Sequence, residues 1–224
     1  MKIAICTIST DRYWQKYKVL RQSIDKYFLK NYNVKNFVYT DQMTDNDEVF
    51  HISHLPSPLI TLMKFNFLLQ KQEILKNYDL LYFIDGDCKI VDNIDDEIFP
   101  TDELPIVVTK HPWQGFNSNQ YDDNPISSAY VEDSGTNHYI QACFFGGYTN
   151  SVLDMANQIH EMIQQDLKMR YIAKWFDESY LNKFLLNKPV KLLHPRYAYP
   201  EVTVWNHILN DTPKIIHENS FSVK

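Results

Sequence analysis

Glycine is scarce in this chain, with five among 224 residues. No Gly-x-Gly-x-x-Gly and no Gly-x-x-x-x-Gly-Lys follows an apolar run, so the usual backbone cradles for phosphate are excluded. A phosphate-handling site in this protein has to be built on a metal. Cysteine is equally sparse. Cys6, Cys88 and Cys143 are odd in number, far apart and set among apolar residues, which predicts reduced core thiols of a cytoplasmic protein and no disulfide frame. His51 and His54 have a zinc-compatible spacing, but no cysteine pair or second histidine pair accompanies them, so zinc is not expected. No apolar run approaches the ~18 residues of a membrane span, and Met1-Lys2-Ile3-Ala4-Ile5 is too short for a signal peptide. Lys/Arg clusters are missing too, and the formal charge is −6, which argues against a nucleic-acid surface. An anionic nucleotide would need local neutralisation, and a bound cation could supply it.

What the chain does have is a 44% hydrophobic and 14% aromatic composition, enough for one large ordered core. Residues 3–8 read as a strand and Tyr13 to Phe28 as an amphipathic helix with Tyr17, Leu20, Ile24 and Phe28 on one face. Val34 to Thr40 is a second strand, followed by an acidic loop through Glu48. A helix starts near Pro58 and carries Leu59, Leu62, Phe65, Phe67 and Leu69, and a strand covers 79–84. Strand, helix, strand, helix, strand predicts an α/β domain with a largely parallel sheet. Further on come a strand from Leu104 to Thr109, a long irregular stretch from His111 to Asn137, and a buried Cys143-to-Gly147 segment whose paired glycines permit close backbone approach. Helices over Ser151 to Lys168 and Asp177 to Leu186 follow.

Two acidic stretches stand out. Leu80-Leu81-Tyr82-Phe83-Ile84 is a run suited to a strand covered on both faces, and it ends on Asp85-Gly86-Asp87. Ligands in such sheets bind at the carboxyl ends of strands, and two aspartates one residue apart can share a hard divalent cation that bridges nucleotide phosphates. Asp-Gly is equally a turn dipeptide, so the motif fits a solvated turn as well. The other stretch is Trp175-Phe176-Asp177-Glu178-Ser179-Tyr180-Leu181-Asn182-Lys183. Asp177 and Glu178 fit a helix start, one capping and one in the first turn. They also fit an anionic carboxylate held available to a developing cationic sugar carbon.

Several segments together resemble glycosyltransferase family 6, the retaining transferases that include the histo-blood-group A and B enzymes and the α-1,3-galactosyltransferases. They are Lys26-Tyr27-Phe28 with Phe37-Val38-Tyr39-Thr40-Asp41, Leu59 to Phe65, Tyr82 to Asp87, Phe144-Phe145-Gly146-Gly147, Trp175 to Lys183, and Lys188-Pro189-Val190-Lys191-Leu192-Leu193, in the family's order. The resemblance implies a Rossmann-like fold of the nucleotide-diphosphosugar transferase (GT-A) type with a mixed, mainly parallel sheet. It implies one catalytic domain over 1–224, with a donor half over about 1–100, an acceptor and catalytic half over about 101–210 and a tail over 211–224.

Roles follow from the same resemblance. Asp85 and Asp87 stand where the family's aspartate pair holds Mn2+ (or Mg2+) against the diphosphate of a UDP-sugar. Glu178 stands at the candidate nucleophile and also on the acceptor side. His111 and Trp175 match acceptor-galactose contacts, and Asp177 matches a residue holding donor-sugar hydroxyls. Gln141, Ala142 and Cys143 fall at the segment that sorts galactose from N-acetylgalactosamine. Cys6, Thr7 and Ile8 match the strand end where uridine is held largely through backbone atoms, with Tyr13 near to stack. Lys64 occupies a place where the family usually has an arginine near the donor, and it supplies a point charge without the bidentate fork. Phe176 replaces the family's histidine, and Tyr199-Pro200-Glu201 replaces an acceptor-touching tryptophan and aspartate of the animal members. The tail from Lys214 to Lys224 resembles a segment that folds over the donor, with Lys214, His217 or Lys224 able to reach phosphate; it reads equally as a frayed basic terminus. The compact chain is similar to bacterial or phage members, which lack the animal enzymes' membrane anchor.

The implied activity is retaining transfer of galactose or N-acetylgalactosamine from its UDP donor to the 3-hydroxyl of a terminal galactoside, in an α linkage. Two alternatives share parts of the pattern. A sugar nucleotidyltransferase would carry a glycine-rich basic N-terminal loop, and Cys6 to Arg12 contains no glycine. A non-catalytic glycan-binding protein would use the aromatic surface and need neither Glu178 nor the aspartate pair.

Overall fold

The computed structural model describes residues 1–43, 48–112, 120–132, 138–201 and 211–218. Its centre is the pair of buried strands β1 (Lys2–Ile8) and β4 (Leu80–Ile84), parallel and in register from Ile3 opposite Leu80 to Cys6 opposite Phe83. On the far side of β1 lie β2 (Asn33–Thr40) and the edge strand β3 (Val49–His51), both parallel to it. Beyond β4 come β7 (Ile140–Tyr148), β6 (Ile106–Lys110) and β8 (Lys191–Leu193). Only β7 runs against the others, so the seven-stranded sheet is mixed and mainly parallel, as a GT-A-like fold requires. A second sheet of three short strands joins β5 (Cys88–Ile90), β9 (Tyr199–Pro200) and β10 (Ile215–His217).

Strand alternation sends neighbouring residues to opposite faces, and each face has its own helical cover. Ile3, Ile5, Leu80, Tyr82 and Ile84 pack with Tyr17, Leu20 and Ile24 of α1 (Tyr13–Tyr27). Ala4, Cys6, Leu81 and Phe83 pack with Phe65 and Leu68 of α3 (Lys64–Gln70) and with Val152, Ala156 and Ile159 of α5 (Thr149–Lys168). Where β7 crosses β4, Gly146 is required: a Cβ there would lie 2.7 Å from the Leu81 carbonyl and closer still to the Tyr82 ring.

The expected helix from Pro58 is divided into α2 (Leu59–Leu62), α3 and α4 (Gln72–Leu75), with joints at Met63 and Lys71. The joints let the segment follow the twisted sheet, keeping Lys64, Phe65, Phe67 and Leu68 inward while Leu59 stays exposed. The strands β3, β5, β9 and β10 have two or three residues each and are held by partners distant in sequence, so local alternation gave no sign of them. The tail is not frayed over 211–218, because β10 pairs antiparallel with β5 and parallel with β9. All three cysteines are buried and free, as their settings predict. Among the described residues no helix is long and apolar enough to cross a membrane.

Candidate active site

The strand order places β2 on one side of β1 and β4 on the other, so the crossovers diverge at the carboxyl ends of β1 and β4. Such a divergence leaves a crevice there. Asp85-Gly86-Asp87 sits on its edge. The segment is a turn, closed by the Cys88 N–H donating to the Asp85 carbonyl at 3.0 Å, and the Asp85 N–H donates to the Cys143 carbonyl at 2.9 Å. A Cβ on Gly86 would lie 2.7 Å from the Ile8 carbonyl, so glycine lets the turn close directly onto the end of β1. The turn reading and the site reading of this motif therefore describe the same geometry: both aspartates line a cavity of about 370 Å³ together with Ile8, Tyr13, Lys64 and His217.

Lys64 ties the acidic stretches together. Its ammonium is 3% exposed and lies 3.1 Å from Asp85 Oδ1 and 2.7 Å from Asp177 Oδ2, and it donates to the Ala142 carbonyl at 3.2 Å. Burial alone would depress its pKa, but the carboxylates of Asp177 and Asp85 outweigh that and hold it above the ordinary lysine range. Asp85 is pushed up to about 6 by burial, with Lys64 opposing and Asp87 and Asp177 adding to the rise. Burial acts upward on Asp87 as well, yet its hydrogen bond and charge interaction with His217 bring it below the ordinary carboxylate range. His217 Nε2 stands 3.4 Å from Asp87 Oδ1; that bond overcomes the burial of the imidazole and raises it to about 10.

The free peptide groups of Ala142 come from an irregularity in β7. The β6–β7 register jumps from Val108 opposite Phe145 to Thr109 opposite Gln141, leaving Ala142, Cys143 and Phe144 unmatched by β6. Such a bulge re-aims backbone groups out of the ladder. The Ala142 carbonyl accepts from Lys64, its N–H donates to Glu178 Oε2 at 3.0 Å, and the Thr109 hydroxyl covers the Phe144 carbonyl at 3.0 Å. The segment expected to sort donor sugars is thus a backbone hub. Gln141 is partly buried and the Ala142 and Cys143 side chains are buried.

Helix α6 (Asp177–Leu185) brings the second acidic stretch to this hub. Its N-cap is Phe176, at φ 53°, a left-handed conformation costly for an aromatic residue. Asp177 does not cap, contrary to the helix-start reading; as the first helical residue it spends its carboxylate on Lys64. The Ser179 hydroxyl accepts the Trp175 N–H at 2.9 Å. Asn182 fastens the helix to β7 by a two-way amide bond with Ile140, 2.7 Å to its N–H and 2.9 Å from its carbonyl.

Glu178 differs from expectation in its charge. A helix N-terminus favours the anion, but burial pushes the carboxyl up to about 8, against the pull of the Ala142 N–H and with Asp177 adding to the rise. His111 is buried, its Nε2 3.9 Å from Glu178 Oε1, and burial lowers it to about 4, so the imidazole is neutral at neutral pH. Trp175 is half exposed, and its carbonyl accepts the Glu178 N–H at 3.1 Å.

Of Cys6, Thr7 and Ile8, expected on the donor side, Ile8 at the end of β1 lines the cavity, while Cys6 and Thr7 lie in the closed interior; Cys6 shares a sheet face with Ile8 but sits two residues deeper in the core. Lys214 is drawn away to Glu97 and the Asn93 carbonyl. Lys224 lies outside the described residues. Thr10, His54, Ser57 and Thr61 line the cavity without having been anticipated, with the Thr10 hydroxyl 2.9 Å from His54 Nδ1. They come from loops and a short helix with no periodic signal; the histidine spacing drew attention to His54 only as a zinc ligand.

The sequence profile of glycosyltransferase family 6 matches residues 1–217. The chain belongs to glycosyltransferase family 6. Among its relatives are the O-antigen biosynthesis glycosyltransferase WbnI of Escherichia coli, 29% identical over 88% of this chain and 86% of that protein, and the rat histo-blood group ABO system transferase 2, 25% identical over 89% of this chain and 64% of its own length. The chicken globoside α-1,3-N-acetylgalactosaminyltransferase 1 is 24% identical over 90% of this chain and 62% of its own length. The chain therefore spans most of the bacterial relative and under two thirds of these two animal ones. Family membership makes this glycosyltransferase a user of a nucleotide-sugar donor and a glycan acceptor, and it speaks against the nucleotidyltransferase and non-catalytic readings.

The family is generally metal-dependent, and the donor set here fits a hard divalent cation. Asp85 and Asp87 line the cavity from a hydrogen-bonded turn, each beside a cationic partner, Lys64 for Asp85 and His217 for Asp87.

Proposed function

We propose that this family 6 glycosyltransferase is a retaining, metal-dependent hexosyltransferase moving galactose or N-acetylgalactosamine from its UDP donor to the 3-hydroxyl of a terminal galactoside, in an α linkage. The observation that carries the proposal is the Lys64 node, which joins the aspartate turn to Asp177 and, through the Ala142 peptide, to Glu178. Retaining transfer needs those two parts beside one another: a stabilised diphosphate leaving group and a carboxylate on the reacting sugar carbon.

Asp85 and Asp87 would hold Mn2+ or Mg2+, which supplies charge to the departing diphosphate. Tyr13 and Ile8 border the nucleoside part of the cavity. Asp177, fixed by Lys64, is placed to orient sugar hydroxyls, and the bulge at Gln141, Ala142 and Cys143 to meet the donor sugar. Glu178 acts as its anion, by forming a bond to the anomeric carbon or by stabilising its cationic character. His111, neutral, and Trp175 receive the acceptor, the indole offering a face for a pyranose ring. The α-1,3-N-acetylgalactosaminyltransferase name of one relative supports the linkage, and the O-antigen biosynthesis name of another supports an acceptor in O-antigen biosynthesis. The chain is read as one catalytic domain acting in the cytoplasm, in keeping with its three free buried thiols.

The test is direct. The protein is incubated with radiolabelled UDP-galactose or UDP-N-acetylgalactosamine, lactose and Mn2+, and the product is separated and its anomeric configuration read by NMR. An α-linked trisaccharide is expected; a β-linked product, or no transfer from either donor to any galactoside tried, overturns the proposal.

A further inference from the structure

The strand β10 delivers a side chain that the expected aspartate pair does not account for. We propose that His217 is a protein ligand of the divalent cation beside Asp87, so that the tail strand completes the metal site; this rests on the metal-dependent reading above.

The placement is built from the backbone. β10 runs antiparallel to β5 with His217 opposite Cys88, one residue past Asp87. The Glu218 N–H donates to the Asp87 carbonyl at 3.0 Å, the Glu201 N–H donates to the His217 carbonyl at 3.2 Å, and Glu218 pairs with Lys16 of α1 at 3.2 Å. His217 is thereby fixed on both sides, and its Nε2 reaches Asp87 Oδ1 at 3.4 Å on the wall of the cavity. Ligand atoms of Asp87, Cys88 and His217 lie within 4.8 Å of one another, a separation one cation can bridge. Cys88 is not counted as a ligand, because it is 2% exposed and its thiol faces Cys143 in the core. That leaves one nitrogen and carboxylate oxygens. An imidazole nitrogen favours Mn2+ over Mg2+, whereas an all-oxygen set has no such preference. It also couples metal binding to docking of the tail, because His217 is available only while β10 is paired.

The alternative is a plain ion pair that holds the tail to Asp87. Mn2+ binding to the full chain, with and without UDP, separates the two when followed by EPR, together with pulsed EPR for nitrogen coupling to the bound ion. The variants H217Q and H217A are compared, with thermal melting to check folding. If His217 is a ligand, wild-type Mn2+ shows an imidazole nitrogen coupling that H217Q abolishes. H217Q also weakens Mn2+ by at least about tenfold and Mg2+ by less. Amides of β10 gain protection from hydrogen exchange when Mn2+ is added. If Mn2+ binds wild type without nitrogen coupling, and H217Q binds it as tightly while D87A does not, the inference is overturned and the metal-dependent reading stands. Full transfer by wild type in chelator overturns both. Should both histidine variants fail to fold, the nitrogen coupling in the wild type decides alone.

Discussion

Replacing Lys64 by methionine is the sharpest test of how the site is held together. The substitution keeps most of the volume and removes the charge from a position 3% exposed, leaving Asp177, 5% exposed, and Asp85, 29% exposed, without their common cation. Breaking a buried ion pair from one side costs about 3–5 kcal/mol, because the stranded charge stays desolvated. Asp85 opens onto the cavity and can recover water, so the loss should fall near the lower end, about 3 kcal/mol, most of it from Asp177. For a domain of this size that is a fall in Tm of about 6–12 °C. Protonation relieves a stranded carboxylate, so the deficit should be largest near about pH 8 and shrink toward about pH 5. Urea denaturation of both proteins in chelator at the two pH values measures it. A variant as stable as wild type at the higher pH, or a deficit independent of pH, would falsify the node as the electrostatic centre of the site.

Asp87→Ala should abolish the Mn2+-dependent part of UDP binding by calorimetry; unchanged affinity in Mn2+ moves the metal elsewhere. Glu178 has a folded-state pKa raised from 4.5 to about 8, so its contribution to stability is present below 4.5 and is lost as pH rises through about 8. The anion it must supply appears over that same rise, so kcat/KM should climb with pH through about 8 and level off above it, and Glu178→Gln should lose most turnover while still binding donor. A wild-type profile that falls over this range removes Glu178 from the reaction. Asn182→Ala strands the N–H and carbonyl of Ile140 and should cost about 2–4 kcal/mol by urea denaturation, with kcat reduced as α6 loosens; a cost within the scatter of surface mutants refutes the clamp.

The pattern of apolar residues determined a good deal. Five buried residues in a row made Leu80–Ile84 a central strand, the spacing of Tyr17, Leu20 and Ile24 set the inner face of α1, and the run ending on Asp85-Gly86-Asp87 marked the strand end that borders the cavity. These readings succeed because strand and helix periods are local properties of the chain. The near absence of glycine was as informative, since it excluded the usual glycine-rich backbone cradles for phosphate. What local pattern could not supply was anything made between distant segments. The reversed direction of β7 and its bulge at Ala142, the pairing of β10 that sets His217 against Asp87, and the meeting of Lys64 with Asp85 and Asp177 all depend on residues tens of positions apart. Charge state belongs to the same class. The sequence places Glu178 at a helix start and argues for an anion, while burial, which only the folded chain creates, pushes it up to about 8.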